Sequence, residues 1–124
     1  SDIQENDFKA FYARDPQAAR KKLIAILAKE YNEHPLVENF VDAFLKIGNQ
    51  EYSAYPDVIE LTELHLQLMK QTTPEKYKEN IQVAEKTLKQ LKNIANLLEK
   101  QGSLETDKVK MSIDFEMFLP TKKE

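Results

Sequence analysis

Between Thr73 and Gly102 the chain carries an unbroken apolar repeat, in which Tyr77, Ile81, Ala84, Leu88, Leu91, Ala95 and Leu98 follow one another at alternating spacings of four and three. Such a seam suits only a helix laid along another helix, because 3.6 residues per turn bring those positions onto one stripe. Thr73 and Pro74 suit a helix start and Gly102 suits its end. The helix then runs for roughly 28 residues, or about 42 Å at about 1.5 Å per residue. Val83, Ile94 and Leu97 widen the stripe beyond a pure seam, which favours a helix inside a bundle over an intermolecular coiled coil.

Helical signals fill most of what comes before. Phe8, Phe11 and Tyr12 mark a short amphipathic helix over 5–13, and Asp15 with Pro16 opens a second over 16–32, with Ala19, Leu23, Ile24, Leu27, Ala28 and Tyr31 on one face. Pro35 interrupts that pattern. A third helix over 35–47 presents Val37, Phe40, Val41, Phe44 and Ile47, with Gly48 placed to cap it. Residues 49–55 form a connector. A fourth helix over 56–71 has apolar residues on more than one face and should be the most buried. Gln71-Thr72-Thr73 is too short for the fourth and fifth helices to point the same way, so they should form an antiparallel hairpin.

Composition agrees with this pattern. Leu, Ile, Val and Phe make up 33 of 124 residues, enough for a core, and a chain of this length suits one domain. Two glycines, Gly48 and Gly102, are too few for a sandwich or barrel with many tight turns, and they exclude both glycine-rich nucleotide loops. The absence of cysteine excludes disulfides, thiolate metal sites and a thiol nucleophile. A net charge of −3 argues against a dedicated nucleic-acid binder. The longest apolar stretches are too short to cross a bilayer. A cytoplasmic protein is expected, and an exported or lipid-anchored mature form fits equally.

The last twenty residues follow a different rule. Val109, Met111, Ile113, Phe115 and Met117 alternate with Lys110, Ser112, Asp114 and Glu116, the period of a strand. A lone strand leaves its backbone groups unpaired and must find an edge, in a partner or in a second copy. A terminal helix with Val109, Ile113 and Met117 on one face, or a disordered tail, are the alternatives. The expected fold is therefore all-α: a compact antiparallel bundle of four to five helices over 1–104, followed by an extended or loosely docked segment over 105–124.

Few residues suggest chemistry. His65 shares the inward face of the fourth helix with Val58, Leu61, Leu68 and Met69, and reads as a buried neutral imidazole, with ligand binding as the lesser reading. His34, Glu38 and Asp42 fall four apart, but Pro35 distorts the row and its ends lie about 12 Å apart on a helix, so it reads as a solvated acidic face. Arg14, Arg20, Lys21, Lys22 and Lys29 scatter around the second helix as a solvated basic face, and Glu85 with Lys89 suits an i, i+4 pair. Tyr52 and Tyr55, beside the connector, are candidates for partner contact. No residue is assigned to catalysis, a metal or a cofactor.

The expected function is a non-enzymatic protein-interaction module, presenting Val109, Met111, Ile113, Phe115 and Met117, with Tyr52 and Tyr55, to a protein partner or a second copy. Its outline is similar to that of small helical immunity proteins that neutralise a partner toxin, and of lipid-anchored accessory proteins, with no specific motif carrying the likeness. The alternative is a bundle that holds a small ligand or metal between helices near His65.

Overall fold

A computed structural model describes residues 5–48 and 50–110, which form α1 (Glu5–Arg14), α2 (Pro16–Glu30), α3 (Val37–Ile47), β1 (Tyr52–Ala54), α4 (Tyr55–Thr72), α5 (Lys78–Gln101) and β2 (Lys108–Lys110). The all-α bundle is realised, and each helix packs on the next in sequence.

The boundaries follow from local chemistry. Asp15 caps α2 by accepting the Ala18 N–H at 3.2 Å, and Pro16 occupies the first turn, where no N–H is needed. At the other end of α2, Asn32 and Glu33 take positive φ of 53° and 54°, and the Glu33 N–H reaches back to the Ala28 carbonyl. That bond closes the helix in a Schellman-type turn. His34 and Pro35 lie in the following turn, so α3 starts at Val37 rather than at residue 35. Thr73 does not open the fifth helix, as its place before Pro74 suggests. Instead its N–H bonds the Met69 carbonyl and ends α4, residues 74–77 form turns, and α5 proper starts at Lys78.

Gly48 shows why the third helix needs glycine at its end. It sits at φ 48°, ψ −123°, where an added Cβ would lie 3.0 Å from the Leu45 carbonyl oxygen. Gly48→Ala therefore meets both backbone strain and a steric clash, and should lower stability by about 1–3 kcal/mol in urea titration. An unchanged midpoint would show that the turn relaxes freely.

The core joins Leu23, Leu27 and Tyr31 of α2 and its cap, Phe40, Val41, Phe44 and Ile47 of α3, and Val58, Leu61, Leu68 and Met69 of α4. Here α4 is the central helix, flanked by α3, α5 and the two strands. In contrast, α5 buries only Leu91, because it packs mainly on α4. Two ion pairs fix the direction of that hairpin: Lys70–Glu85 at 3.3 Å and Glu63–Lys92 at 3.0 Å. Seven residues back along α4 corresponds to seven forward along α5, as an antiparallel pair requires. The i, i+4 partnership of Glu85 with Lys89 is thus replaced by a cross-helix pair.

The connector contains a strand. Tyr52, Ser53 and Ala54 pair antiparallel with Lys110, Val109 and Lys108, and the two-stranded sheet rests on α4. The start of the C-terminal alternation therefore finds its edge inside its own chain, a partner that its isolated sequence did not reveal.

Candidate functional site

The β1–β2 pair realises the alternation wherever the structure describes it. Lys108 and Lys110 are exposed, while Val109 turns inward against the core. Opposite Val109, Ser53 is buried, and its hydroxyl has no hydrogen-bond partner among the described residues. Tyr52, opposite Lys110, is 49% exposed and carries the Lys110 ammonium 6.0 Å from its ring centroid. Lys110 also lies 3.6 Å from Glu51. These contacts are solvent-exposed and individually weak, so Tyr52 remains an accessible aromatic surface. Among the described residues each strand of the ladder pairs on one side only, and an unpaired strand edge can accept a further strand.

The two candidate tyrosines separate. Tyr52 faces outward, whereas Tyr55 is the first residue of α4 and packs half-buried against the core. The remaining candidates, Met111, Ile113, Phe115 and Met117, lie outside the described residues.

His65 is 7% exposed and stacks on Phe40 with ring centroids 5.5 Å apart. Burial pushes its pKa down to about 4, so the imidazole is neutral at physiological pH. Three surface grooves lie beside Arg20 and Asp42, beside Glu63 and Leu88, and beside Lys29 and Asn32, and His65 lines none of these.

The acidic row acquires a structural role that helical spacing did not suggest. Arg20 donates through Nε to Asp42 Oδ1 at 2.7 Å, and through one terminal nitrogen to Asp42 Oδ2 at 3.0 Å and Glu38 Oε1 at 2.9 Å. This fork ties α2 to α3, and its hydrogen bonds hold the Asp42 carboxyl below its ordinary pKa. Arg20 is thereby removed from the solvated basic face. His34 lies before α3, its Nδ1 accepting the Leu36 N–H at 3.0 Å and its Nε2 lying 2.6 Å from Gln71 Oε1. Among the described residues no group of three or more His, Cys, Asp or Glu side chains is arranged to hold a metal.

A second polar cluster joins the end of α2 to the α4–α5 turn. Glu30 accepts from Lys76 Nζ at 2.5 Å and from the Tyr77 hydroxyl, and Tyr77 packs against Tyr31 with ring centroids 5.9 Å apart. Burial, with the Glu30 charge close by, pushes the Tyr31 phenol up to about 12. Burial and its hydrogen bond to Glu30 likewise raise Tyr77. Both phenols therefore stay protonated and Tyr77 donates to Glu30, which makes this cluster a latch rather than a base. Its members lie 46 and 47 residues apart in sequence, beyond the reach of any helical spacing rule.

No helix among the described residues is long and apolar enough to cross a membrane. No family model matches the chain, and no curated protein or solved structure matches it.

Proposed function

We propose that this chain is a non-enzymatic protein-interaction module of the inhibitor or immunity-protein kind, with the β1–β2 ladder and the residues that follow it as its contact element. The supporting observation is the ladder itself, because β2 is the first part of an apolar alternation that continues through Met111, Ile113, Phe115 and Met117. A strand already seated on a helical scaffold offers a partner main-chain hydrogen bonds along its edge and a preorganised starting register. The exposed Tyr52 ring adds a rigid amphipathic anchor beside that edge.

The test compares the full chain with one ending at Lys110, which retains Val109 in the core. Solution mass by light scattering reads self-association, and affinity capture from the producing cell reads a separate partner. The full chain is expected to self-associate or to capture a partner that the shortened chain loses, with the far-ultraviolet circular dichroism unchanged per helical residue. Equal behaviour of the two chains would overturn the proposal, and so would unfolding of the shorter one.

A further inference from the structure

The outer face of α5 carries a second seam that nothing among the described residues covers. Val83 and Leu97 are each 58% exposed and Ile94 is 41% exposed. With Asn80, Thr87 and Gln90 they repeat at alternating spacings of three and four, the same rule as the inner stripe that packs on α4. At about 100° per residue, the three apolar side chains fall within about 60° of arc, a strip narrow enough to be covered by one further helix.

One flank of the seam holds Glu79, Lys86, Asn93 and Lys100, seven apart and all exposed. Its three charged members make no ion pair among the described residues. Neither lysine has an acidic residue three or four positions away, and Lys76, three before Glu79, is taken by Glu30. The other flank is Ala84, Leu91 and Leu98, apolar side chains that are partly or fully buried.

A second copy of α5 laid antiparallel satisfies seam and flank in one register. Where Val83 meets Ile94 of the second copy, Thr87 meets Gln90 and Asn80 meets Leu97, each contact occurring twice by symmetry. About 22 residues, or about 33 Å of helix, are then paired. An antiparallel pair also sets each flank against the same flank of its neighbour. The register that joins Val83 to Ile94 therefore brings Glu79 within about 3 Å, along the axis, of Lys100 of the second copy, and places Lys86 beside Asn93. A slip of one heptad sets Lys86 against Lys100 in one direction and against itself in the other, and either slip faces every apolar seam residue with a polar one. A slip of two heptads toward the C-terminus joins Ile94 to Leu97 over only about twelve residues, leaves Val83 uncovered and places Lys100 beside Asn93. A parallel pair sets Glu79 against Ala84 and Lys86 against Leu91, so no charge meets its opposite. Apolar contact and charge thus select the same arrangement. From this we infer that α5 pairs antiparallel with α5 of a second copy through Val83–Ile94 layers, bracketed at both ends by Glu79–Lys100 ion pairs. Thr87 and Gln90, facing one another near the centre, fix the register at the cost of affinity. With so few all-apolar layers, association is half complete only above about 10 µM.

The test is solution mass by light scattering at low salt, from about 2 µM to about 500 µM. The full chain is expected to rise from its mass of 14.4 kDa toward twice that value. Glu79→Lys alone and Lys100→Glu alone each set like charges together and should weaken association at least about tenfold. An equimolar mixture of the two variants should restore it, because each ion pair re-forms between unlike chains, and the double variant should associate like the parent. Ile94→Ala with Leu97→Ala should leave a monomer, while urea titrations of all variants at about 2 µM, where the parent is itself monomeric, stay close to the parent's. The association should persist in the chain ending at Lys110, so it is read separately from the contacts of the β1–β2 ladder. A monomer at every concentration, a dimer indifferent to the charge changes, single variants whose mixture stays monomeric, or association lost with the residues after Lys110 would each overturn the inference. So would a dimer that forms only in the chain ending at Lys110, since the C-terminal residues would then be the occupant of the seam.

Discussion

Phe40→Ala should cost about 3–5 kcal/mol of stability, the largest effect expected from any single side chain discussed. Phe40 has no exposed surface, and its ring lies 6.3 Å from Phe44 and 5.5 Å from His65, at the junction of α3 and α4. Truncation removes buried apolar area, leaves a cavity between two helices that cannot both move inward, and deletes ring contacts worth about 0.5–1.5 kcal/mol beyond their area. Against a total of about 5–15 kcal/mol for a domain, that approaches half of what holds the chain folded. Urea titration provides the measurement, with Ile94→Ala as comparison. Ile94 lies on the outer face of α5, so its truncation should change stability by no more than about 0.5 kcal/mol. A Phe40→Ala loss below about 1 kcal/mol would mean that the α3–α4 junction repacks freely and that this part of the core is not rigid.

The same contrast shows which features could be read from sequence. Phe40, Phe44, Leu61 and Leu68 follow helical spacing, and a periodic apolar face has only one place to go, so both the helices and their buried faces were legible. His65 was legible for the same reason. The β1 strand was not, since its three residues are too few to display a period and its partner lies more than fifty positions away. Polar partners were likewise hidden. Lys89 is the local choice for Glu85, yet Lys70 wins because the α4–α5 hairpin brings it across the helix interface. Arg20 looked like one cation among several until α3 folded back and set Glu38 and Asp42 beside it. Spacing rules report neighbours along one helix, whereas these contacts exist only after helices have packed. Val83, Ile94 and Leu97 read as a widening of the stripe that packs in the bundle, yet they stand exposed on α5, because among the described residues α5 has α4 as its main neighbour.

The buried imidazole sets the second large effect, which is a dependence on pH. In the unfolded chain His65 takes up its proton at a pKa of about 6.5. In the fold, loss of solvent around the ring pushes that value down to about 4. Between those two values the unfolded state binds more protons than the native state, so stability rises with pH through this window and falls as the solution is acidified. The contribution is complete above about pH 6.5 and lost progressively toward pH 4. Moving from about pH 7.5 to about pH 4.5 should therefore remove about 2–3 kcal/mol, because each tenfold difference in proton affinity between the two states is worth about 1.36 kcal/mol. Asp42 does not account for this loss: Arg20 holds its pKa below the ordinary carboxylate value, so its stabilisation declines only at lower pH. His65→Leu keeps an apolar side chain against Phe40 and has nothing to titrate, so most of the slope between about pH 7.5 and about pH 4.5 should vanish in paired urea titrations of parent and variant. A variant that keeps the full slope would locate the acid sensitivity elsewhere and would mean that His65 is protonated inside the fold at far less cost than its burial implies.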